Sequence, residues 1–271
     1  FLALKNPHPR DAFISFDEGP HIYTVHGDST FTSVTTWNHT HFPHFDSDAI
    51  IDRILKNKRR NDPTYKYYKK TKKQIQADWD KNRDEAAAAG TKLHYDIECF
   101  WNQCPNKNDS VEYQYFLNFH KQFPLKPYRT EWTIYDRKLR LAGSIDMVYQ
   151  DIRDNTFHIY DWKRAKEFKT PNRFTDMGYP PVDNLPNINT YHYFLQLNLY
   201  KFILERNYNI KIKSLYLCRF HPNSDTYQLL LCDDLCKEIK KAVGMRRKQV
   251  KEEIYNFPIE KVEKTYQDFQ N

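Results

Sequence analysis

The sequence predicts an α/β fold in which a mixed central sheet is flanked by helices, with a helical elaboration towards the N-terminus. Two observations carry this prediction. Apolar, strand-like runs cluster between residues 127 and 164, and segments with helical patterns lie on both sides of them along the chain. A chain of 271 residues that is 39% hydrophobic and 16% aromatic is also long enough to bury a sheet of this kind.

Strand-like and helix-like segments precede the central strands. In the first forty residues FISF and HIYTV flank the turn DEGP, and FTSVTTW follows, which is typical of β-structure. A helix is predicted over residues 46–60, where Asp46 and Ser47 are suitable capping residues. One or two further helices are predicted over residues 66–103. A single domain is therefore expected, with a β-rich segment, a helical arch and a core at residues 1–45, 46–103 and 104–271.

A long loop and four regular elements are predicted after the central strands. Residues 168–188 are rich in proline and asparagine, and the segment is too long for a simple connector, which indicates a lid or a binding loop. Together with the earlier segments, the later elements surround the central strands with helices. They are a helix, two strands and a basic helix at residues 189–206, 212–220, 226–232 and 234–255.

The net charge of +7 is concentrated in one segment. Residues 53–73 contain ten lysines or arginines and one acid, Asp62, with tyrosines between them. Such a segment suits a phosphate backbone, and tyrosines stack on unpaired bases. The alternative is a solvated helix surface. The candidate nucleic-acid-binding residues are Lys58, Arg59, Arg60, Lys66, Tyr67, Tyr68, Lys69, Lys70, Lys72 and Lys73, with Tyr65 and Trp79 as further stacking candidates.

The cysteines and the hydropathy of the chain indicate a compartment rather than a chemistry. The five cysteines are an odd number and form no C-x-x-C pair, so neither a disulfide framework nor a zinc site is predicted. We expect thiols in a reducing, intracellular compartment. No stretch approaches the roughly 18–20 apolar residues of a membrane helix, and no signal peptide is recognised, so no membrane partner is expected.

The segment LAGSIDMVYQDIRDNTFHIYDWKRAK, residues 141–166, carries the candidate catalytic residues. Two apolar runs flank the turn-like cluster DIRDN, so a hairpin centred on this turn pairs residues whose numbers sum to 307. Asp146 then faces Asp161, with Cβ atoms roughly 4.5–5.5 Å apart. The two-residue period of a strand places Lys163 on the same face and Trp162 on the other.

This register predicts a hairpin buried on both faces, as in a central strand pair. The alternative is a salt-bridged cluster on an exposed strand, but such a cluster does not require two acids that face each other. The predicted apolar pairs are Ile145 with Trp162 and Met147 with Tyr160 on the reverse face, and Val148 with Ile159 on the acidic face.

Two facing carboxylates at a buried position indicate a cation. They repel each other unless one takes up a proton or a cation lies between them. A hard divalent cation such as Mg²⁺ or Mn²⁺ binds oxygen ligands of this type, and it activates water and phosphoryl groups. Lys163, one strand step from Asp161, is placed to orient or deprotonate a bound water and to offset charge on phosphate.

Four motifs in order give this chain a family resemblance. Gly143-x-x-Asp146 followed by Asp161-x-Lys163 resembles the PD-(D/E)XK nuclease superfamily. GTKLHYDIE at residues 90–98 and QLNLY, which begins at Gln196, resemble the G-x-x-x-H and Q-x-x-x-Y helices of its RecB-like branch. That branch includes the mitochondrial genome maintenance exonuclease and viral and phage exonucleases. The resemblance implies a restriction-endonuclease-like central mixed sheet and a single nuclease domain over residues 1–271.

The resemblance also implies a metal centre. His94 is expected to reach in from its helix as a metal ligand, together with the carboxylates of Asp146 and Asp161 and the backbone carbonyl of Trp162. Lys163 is expected to act on the attacking water. For His94 the alternative is a partly buried, hydrogen-bonded histidine.

Other residues are expected around this centre. Gln196 and Tyr200, four residues apart on one helical face, are expected to support the site or to hold the scissile phosphate. Glu98, on the same helical face as His94, is either a second-shell acid or a solvated one. Glu131, on the strand before the hairpin, is a second candidate for this outer position and could also face the metal.

The expected function is a metal-dependent DNA nuclease that acts as an exonuclease on single-stranded DNA or on DNA ends. No iron–sulfur cluster is expected, because Cys232 and Cys236 lack the third nearby cysteine of the cluster-bearing RecB-like nucleases. One alternative is a structure-specific endonuclease of the same fold, and another is a catalytically silent nucleic-acid-binding module. A third is an unrelated hydrolase that uses Asp146 and Asp161 as paired acid and base.

Overall fold

The structure is a computed structural model that describes residues 1–255. The end of the predicted domain, residues 256–271, lies outside the described residues. The helices are α1 (Leu2–Lys5), α2 (Val34–His39), α3 (Ser47–Lys56), α4 (Lys72–Asn102), α5 (Val111–Gln122), α6 (Asn189–Asn207) and α7 (Cys236–Tyr255). The strands are β1 (Ile14–Asp17), β2 (Ile22–Val25), β3 (Thr32–Ser33), β4 (Lys126–Asp136), β5 (Leu141–Asp151), β6 (Thr156–Lys163), β7 (Ile212–Arg219) and β8 (Gln228–Leu231).

A six-stranded mixed sheet forms the centre of the molecule. Its strands β4, β5 and β6 are antiparallel neighbours, β7 runs parallel to β6, and β8 runs antiparallel to β7. The short β3 pairs in parallel with the start of β5. The predicted α/β fold with a mixed central sheet flanked by helices, consistent with a restriction-endonuclease-like arrangement, is therefore confirmed.

Helices cover both faces of this sheet. On one face, α2, α6 and α7 bury a large cluster with side chains of β4, β5 and β7, in which Ile203 and Leu217 are fully buried. On the other face, α4 and α5 pack on aromatic side chains of β5 and β6 around Phe116 and Trp162. Burial of side chains of this size contributes about 1.5–3 kcal/mol each, so both faces stabilise the sheet. No helix among the described residues is long and apolar enough to span a bilayer.

Helix α4 is a continuous rod of 31 residues. It begins with a capping box in which Thr71 and Gln74 bond each other's backbone N–H groups, and it ends at Gln103 in the left-handed conformation. Its second half packs on the sheet through Leu93 and Ile97, whereas its first half carries the buried Ile75 against α3. The helix therefore connects the sheet with the basic segment of the chain.

Several predicted elements differ from the structure. FTSVTTW was predicted as β-structure, but only two of its residues form β3 and the rest begin α2, because the Ser33 hydroxyl accepts the Thr36 N–H and caps a helix. The helix predicted over residues 46–60 ends at Lys56, and a 3₁₀ turn follows at Lys58–Asn61. Residues 66–71 precede α4 as turns, and α5 was not predicted.

The predictions for the later part of the chain are closer. The Pro- and Asn-rich segment 168–188 contains no helix or extended strand. The predicted helix at 189–206 and the strands at 212–220 and 226–232 correspond to α6, β7 and β8, and the basic helix corresponds to α7.

Candidate metal centre

One edge of β5 is open between Ala142 and Met147. β4 pairs along the whole of β5, so β3 and β6 share the other edge. β3 pairs with β5 up to Ala142, and β6 pairs with it only from Met147 onwards. Among the described residues, Gly143 to Asp146 therefore have no strand partner on this edge. The backbone N–H of Trp162 instead donates a 2.8 Å hydrogen bond to Oδ2 of Asp146.

The β5–β6 hairpin has the predicted register. The residue numbers of every backbone pair in its ladder sum to 307, including Met147 with Tyr160 and Val148 with Ile159. The ladder ends one pair before Asp146, because the side chain of that residue takes the place of a backbone partner. The two predicted acids therefore lie where the strands separate.

The alternation of side chains between the two faces of β5 is interrupted at Asp146. Ile145 and Val148 both pack on the α6 face of the sheet, whereas Met147 packs on the α4–α5 face. Residues three apart in a regular strand point to opposite faces, so one position is irregular. Opposite Asp146 in the β4–β5 register stands Glu131, whose φ of 41° is unusual for a residue other than glycine. The predicted location of Ile145 beside Met147 on the reverse face is therefore wrong.

This irregularity brings two carboxylates together with a histidine. Nδ1 of His94 lies 3.6 Å from Oδ2 of Asp146 and 3.9 Å from Oε1 of Glu131. One ligand atom from each of the three side chains lies within 4.8 Å of the other two. Atoms that share one cation at about 2.0–2.6 Å lie within about 5 Å of one another, so this spacing suits a single metal ion.

The orientation of His94 is fixed by a backbone group. Its Nε2 lies 2.9 Å from the carbonyl oxygen of Trp162. Since a carbonyl oxygen only accepts hydrogen bonds, Nε2 carries the proton and Nδ1 presents a lone pair towards Asp146 and Glu131. The predicted metal-ligating carbonyl of Trp162 is thus engaged by the imidazole in this arrangement.

Glu131 lies in the group of three candidate ligands. The hydroxyl of Ser144 donates a 3.1 Å hydrogen bond to its Oε2. Burial, and next the neighbouring Asp146 carboxylate, raise the pKa of Glu131 to about 8. The sequence predicted Glu131 as an outer residue that could also face the metal, and its carboxylate lies with His94 and Asp146.

Asp161 forms an ion pair instead of joining this group. Its carboxylate is buried, and Nζ of Lys163 lies 2.5 Å from Oδ2. The angle of this contact is unsuitable for a hydrogen bond. Among the described residues, Oδ2 therefore has an ionic contact but no hydrogen-bond partner. Burial raises the pKa of Asp161 to about 6 although Lys163 opposes this shift.

Lys163 is held in its charged form. Burial alone would lower its pKa, but the Asp161 and Asp146 carboxylates outweigh burial and raise it. The ammonium also lies 4.8 Å from the centre of the Tyr193 ring. A cationic side chain is therefore fixed beside the three candidate ligands.

These residues fit a divalent cation. An imidazole nitrogen and two carboxylates converge, and Oδ2 of Asp161 is a buried oxygen without a directed partner. Burial, with a smaller contribution from the neighbouring Asp146 carboxylate, raises the pKa of Glu131 and of Asp161, so their charged forms are disfavoured without a further cation. A cation bound here would stabilise those charged forms.

Gln196 and Tyr200 lie on α6 directly beneath β5. The Gln196 amide donates a 3.2 Å hydrogen bond to the Tyr200 hydroxyl, and the Tyr200 ring is buried. A Cβ at Gly143 would lie 2.7 Å from Cε1 of that ring. Glycine at this position therefore allows the helix to pack closely under the residues that precede Asp146.

Glu98 lies one helical turn beyond His94 and outside the group of three. It is half-buried, and burial raises its pKa, with a further contribution from Glu18. Its side chain lines a cavity of about 460 Å³ that also reaches His94 and Glu131.

The predicted basic segment lies at the far end of α4. Lys70 pairs with Asp78 at 2.5 Å, and Lys72 pairs with two acids of α3. Tyr67 accepts a 3.0 Å hydrogen bond from Nε1 of Trp79, and the Tyr68 ring lies 5.0 Å from Nζ of Lys69. The basic side chains of this segment without an acidic partner among the described residues are Arg53, Lys56, Lys58, Arg59, Arg60, Lys66, Lys69 and Lys73.

Two residues of the site were not predicted from the sequence. Ser144, which orients Glu131, lies two positions before Asp146, so the strand period alone places it near that acid. Tyr193, which contacts Lys163, precedes Gln196 by three residues on the same helical face. Both spacings were available as signals in the sequence.

Comparison with known proteins gave distant structural similarity. No family model and no curated protein matches the chain. The chain is similar to the crystal structure of an alkaline exonuclease from Laribacter hongkongensis, with 11% identity, a TM-score of 0.32, and 66% of this chain and 86% of that chain covered. It is also similar to SSO0001, with 10% identity, a TM-score of 0.24, and coverage of 52% and 56%. Both likenesses are too distant for function to be transferred.

Proposed function

We propose that the protein is a divalent-metal-dependent nuclease that hydrolyses phosphodiester bonds in DNA. The observation that carries this proposal is the convergence of His94, Glu131 and Asp146, whose ligand atoms lie within 4.8 Å of one another, beside the Asp161–Lys163 ion pair. The four sequence motifs supply residues to this one place, which supports membership of the RecB-like branch.

The residues of the chain have separable roles in this reaction. His94, Asp146 and Glu131 would hold Mg²⁺ or Mn²⁺, with Asp161 next to them. The bound ion would polarise a phosphoryl oxygen and lower the pKa of a coordinated water. The Lys163 ammonium stabilises negative charge that develops on the phosphate and orients the attacking water.

Backbone groups keep these side chains in place before substrate binds. The N–H of Trp162 fixes Asp146, and the carbonyl oxygen of the same residue fixes His94. Gln196 and Tyr200 hold β5 from below through the close contact at Gly143. A site fixed in this way loses little energy to reorganisation during the reaction.

Aromatic side chains at and beside the first half of α4 favour a nucleic-acid substrate with unpaired bases. Four aromatic rings, which we call the aromatic file, follow one another at centroid distances of 6.0, 6.4 and 5.7 Å, in the order Phe45, Trp79, Tyr67 and Tyr65. Arg59 and Lys66 lie over the last two rings. Aromatic rings alternating with cations bind single strands by stacking and by charge. We therefore favour DNA that is single-stranded or has a free single-stranded end.

The proposal includes a reducing, intracellular compartment, which the thiols support. All five cysteines are free, and three of them are buried. Free thiols of this kind suit a reducing, intracellular compartment.

The decisive experiment compares purified variants on labelled DNA. End-labelled single-stranded, double-stranded and circular DNA is incubated with Mg²⁺ or Mn²⁺, and then with EDTA. We expect cleavage that requires the metal and that is lost in Asp161→Ala but retained in the matched control Asp154→Ala. Cleavage that survives EDTA, or an active Asp161→Ala variant, would contradict the proposal.

The same assay separates the remaining alternatives. Degradation of linear but not circular strands identifies an exonuclease, whereas cleavage of circles identifies an endonuclease. Binding of DNA without cleavage in either metal identifies a silent nucleic-acid-binding module.

A further inference from the structure

A cavity of about 460 Å³ adjoins the candidate metal centre. One wall is the β1–β2 hairpin, with Phe16 and Glu18, and the opposite wall is α4, with Tyr95 and Glu98. His94 also lines the cavity, so its interior is continuous with the metal centre. A volume of this size is typical of sites for small ligands.

The two walls each carry an aromatic ring. Phe16 is partly buried and stacks on the buried Tyr23, with ring centroids 4.4 Å apart. Tyr95 projects from α4 one residue after His94 and is 63% exposed. Aromatic rings that line a cavity beside the proposed phosphodiester-cleaving site are suited to stacking on a nucleobase.

The cavity is acidic beyond the metal centre. Glu18 and Glu98 reach it from opposite walls, and neither forms an ion pair with the described residues. The described residues that line the cavity include no lysine or arginine. The effect of Glu18 on the pKa of Glu98 shows that the two carboxylates interact.

These walls discriminate between the parts of a nucleotide. A phosphate group placed between two carboxylates is repelled by both of them. The amino groups of bases donate hydrogen bonds, which carboxylates accept. The cavity therefore accepts a base and a sugar but rejects a second phosphate.

We propose that this cavity holds the terminal nucleoside of a DNA strand whose end carries no phosphate. The proposal rests on the proposed nuclease function, because the scissile phosphate must lie at His94 and Glu131. The base stacks on Phe16 and Tyr95, and the free hydroxyl end of the sugar lies between Glu18 and Glu98. A strand cannot continue through the cavity, because its next phosphate would meet the same two carboxylates.

The test uses single strands that differ only at their ends. Four internally labelled oligonucleotides carry hydroxyl or phosphate groups at the 5′ and 3′ ends in every combination. For the unmodified enzyme we expect a phosphate at one of the two ends to slow cleavage about tenfold or more. In the double variant Glu18→Gln, Glu98→Gln that difference falls to about twofold or less.

Matched controls isolate the cavity. Glu85→Gln removes an exposed charge from the same helix and should leave the end discrimination unchanged. Tyr95→Leu should weaken binding of the hydroxyl-ended strand about fivefold or more, whereas Tyr95→Phe retains the ring and should bind normally.

A binding measurement keeps this test independent of cleavage. Anisotropy of the same oligonucleotides with Lys163→Ala should show the same preference for the hydroxyl end. The inference is overturned if rates and affinities do not depend on end phosphates, or if the double variant still discriminates. A protein without any metal-dependent cleavage that still prefers hydroxyl ends would contradict the nuclease proposal, and it would support only the assignment of the cavity to a strand end.

Discussion

The β5–β6 hairpin carries acids at both ends, and the two ends differ in charge compensation. At the turn, Nζ of Lys213 lies 2.9 Å from both Asp151 and Asp154, and Arg153 binds Asp151 through two nitrogens. A hydrogen bond from Arg153 lowers the pKa of Asp151. A hydrogen bond from Thr156 lowers the pKa of Asp154 to about 2.

At the open end the balance is reversed. Burial raises the pKa of Asp161 and Glu131 to about 6 and about 8, and one lysine stands beside several carboxylates. The turn contains acids whose charge is satisfied by the protein, which is typical of a structural role. The open end contains acids whose charged forms are disfavoured by burial, a pattern that is common at functional sites.

The largest expected difference between the two ends is in catalysis. Lys163→Ala should lower kcat for DNA cleavage roughly 10²- to 10³-fold, because it removes a fixed positive charge from the reacting phosphate. Lys213→Ala removes a lysine that also pairs with carboxylates but lies at the turn of the hairpin. This variant should leave kcat within about twofold of the unmodified enzyme. Both rates are measured with saturating Mn²⁺, and an equal loss in the two variants would contradict the comparison.

Metal binding should raise the stability of the protein through the residues of the open end alone. At a Mn²⁺ concentration 100 times Kd, linkage contributes about 2.7 kcal/mol, which corresponds to a rise in Tm of roughly 5 °C. Asp146→Asn should abolish this rise, and Asp154→Asn should retain it. Differential scanning fluorimetry measures both, and a rise that survives Asp146→Asn would place the cation elsewhere.

The pH dependence of stability should expose the same contrast in metal-free protein. Glu131 ionises near pH 4.5 in the unfolded chain and near 8 in the folded one, so folding takes up a proton between these values. The free energy of unfolding should therefore fall as the pH rises from about 4.5 to about 8. Glu131→Gln should flatten this slope in urea denaturation, and an unchanged slope would assign it to other groups.

The smallest effect is expected at the turn. The pKa of Asp154 is lowered from 3.8 to about 2, so its contribution to stability is complete above pH 3.8 and is lost as the pH falls through about 2. Asp154→Asn should lower Tm slightly at pH 7 and leave it unchanged at the acid limit. Circular dichroism melts at the two pH values check this, and cleavage should not change.

Much of the hairpin was predictable, because its turn lies symmetrically between two apolar runs. The register followed from the position of DIRDN, and it placed Asp161 and Lys163 on one face, where they form their ion pair. The irregular pleat at Asp146 was not predictable from periodicity, since it depends on Glu131 in the left-handed conformation on the neighbouring strand. The sequence therefore predicted Glu131 only as an outer residue that could also face the metal, whereas the structure groups it with His94 and Asp146.

Helix boundaries failed where local capping opposed propensity. VTTW contains β-branched residues that favour a strand, but the Ser33 hydroxyl begins α2 there. Thr71 similarly delays the start of α4 to Lys72, so the tyrosines of the basic segment lie in turns. The roles of His94, Gln196 and Tyr200 remain predictions, although the structure places all three around β5.

The unbroken length of α4 fixes the distance between the aromatic file and the candidate metal centre. Trp79 of the aromatic file and His94 of the metal centre lie on this one helix, fifteen residues apart in sequence. At a rise of 1.5 Å per residue they are separated by roughly 22 Å along its axis. A strand that touches both must cover this length, which equals about six stacked nucleotides at 3.4 Å each. Under the proposed nuclease function, only strands longer than this span would contact the aromatic file and the metal centre at once.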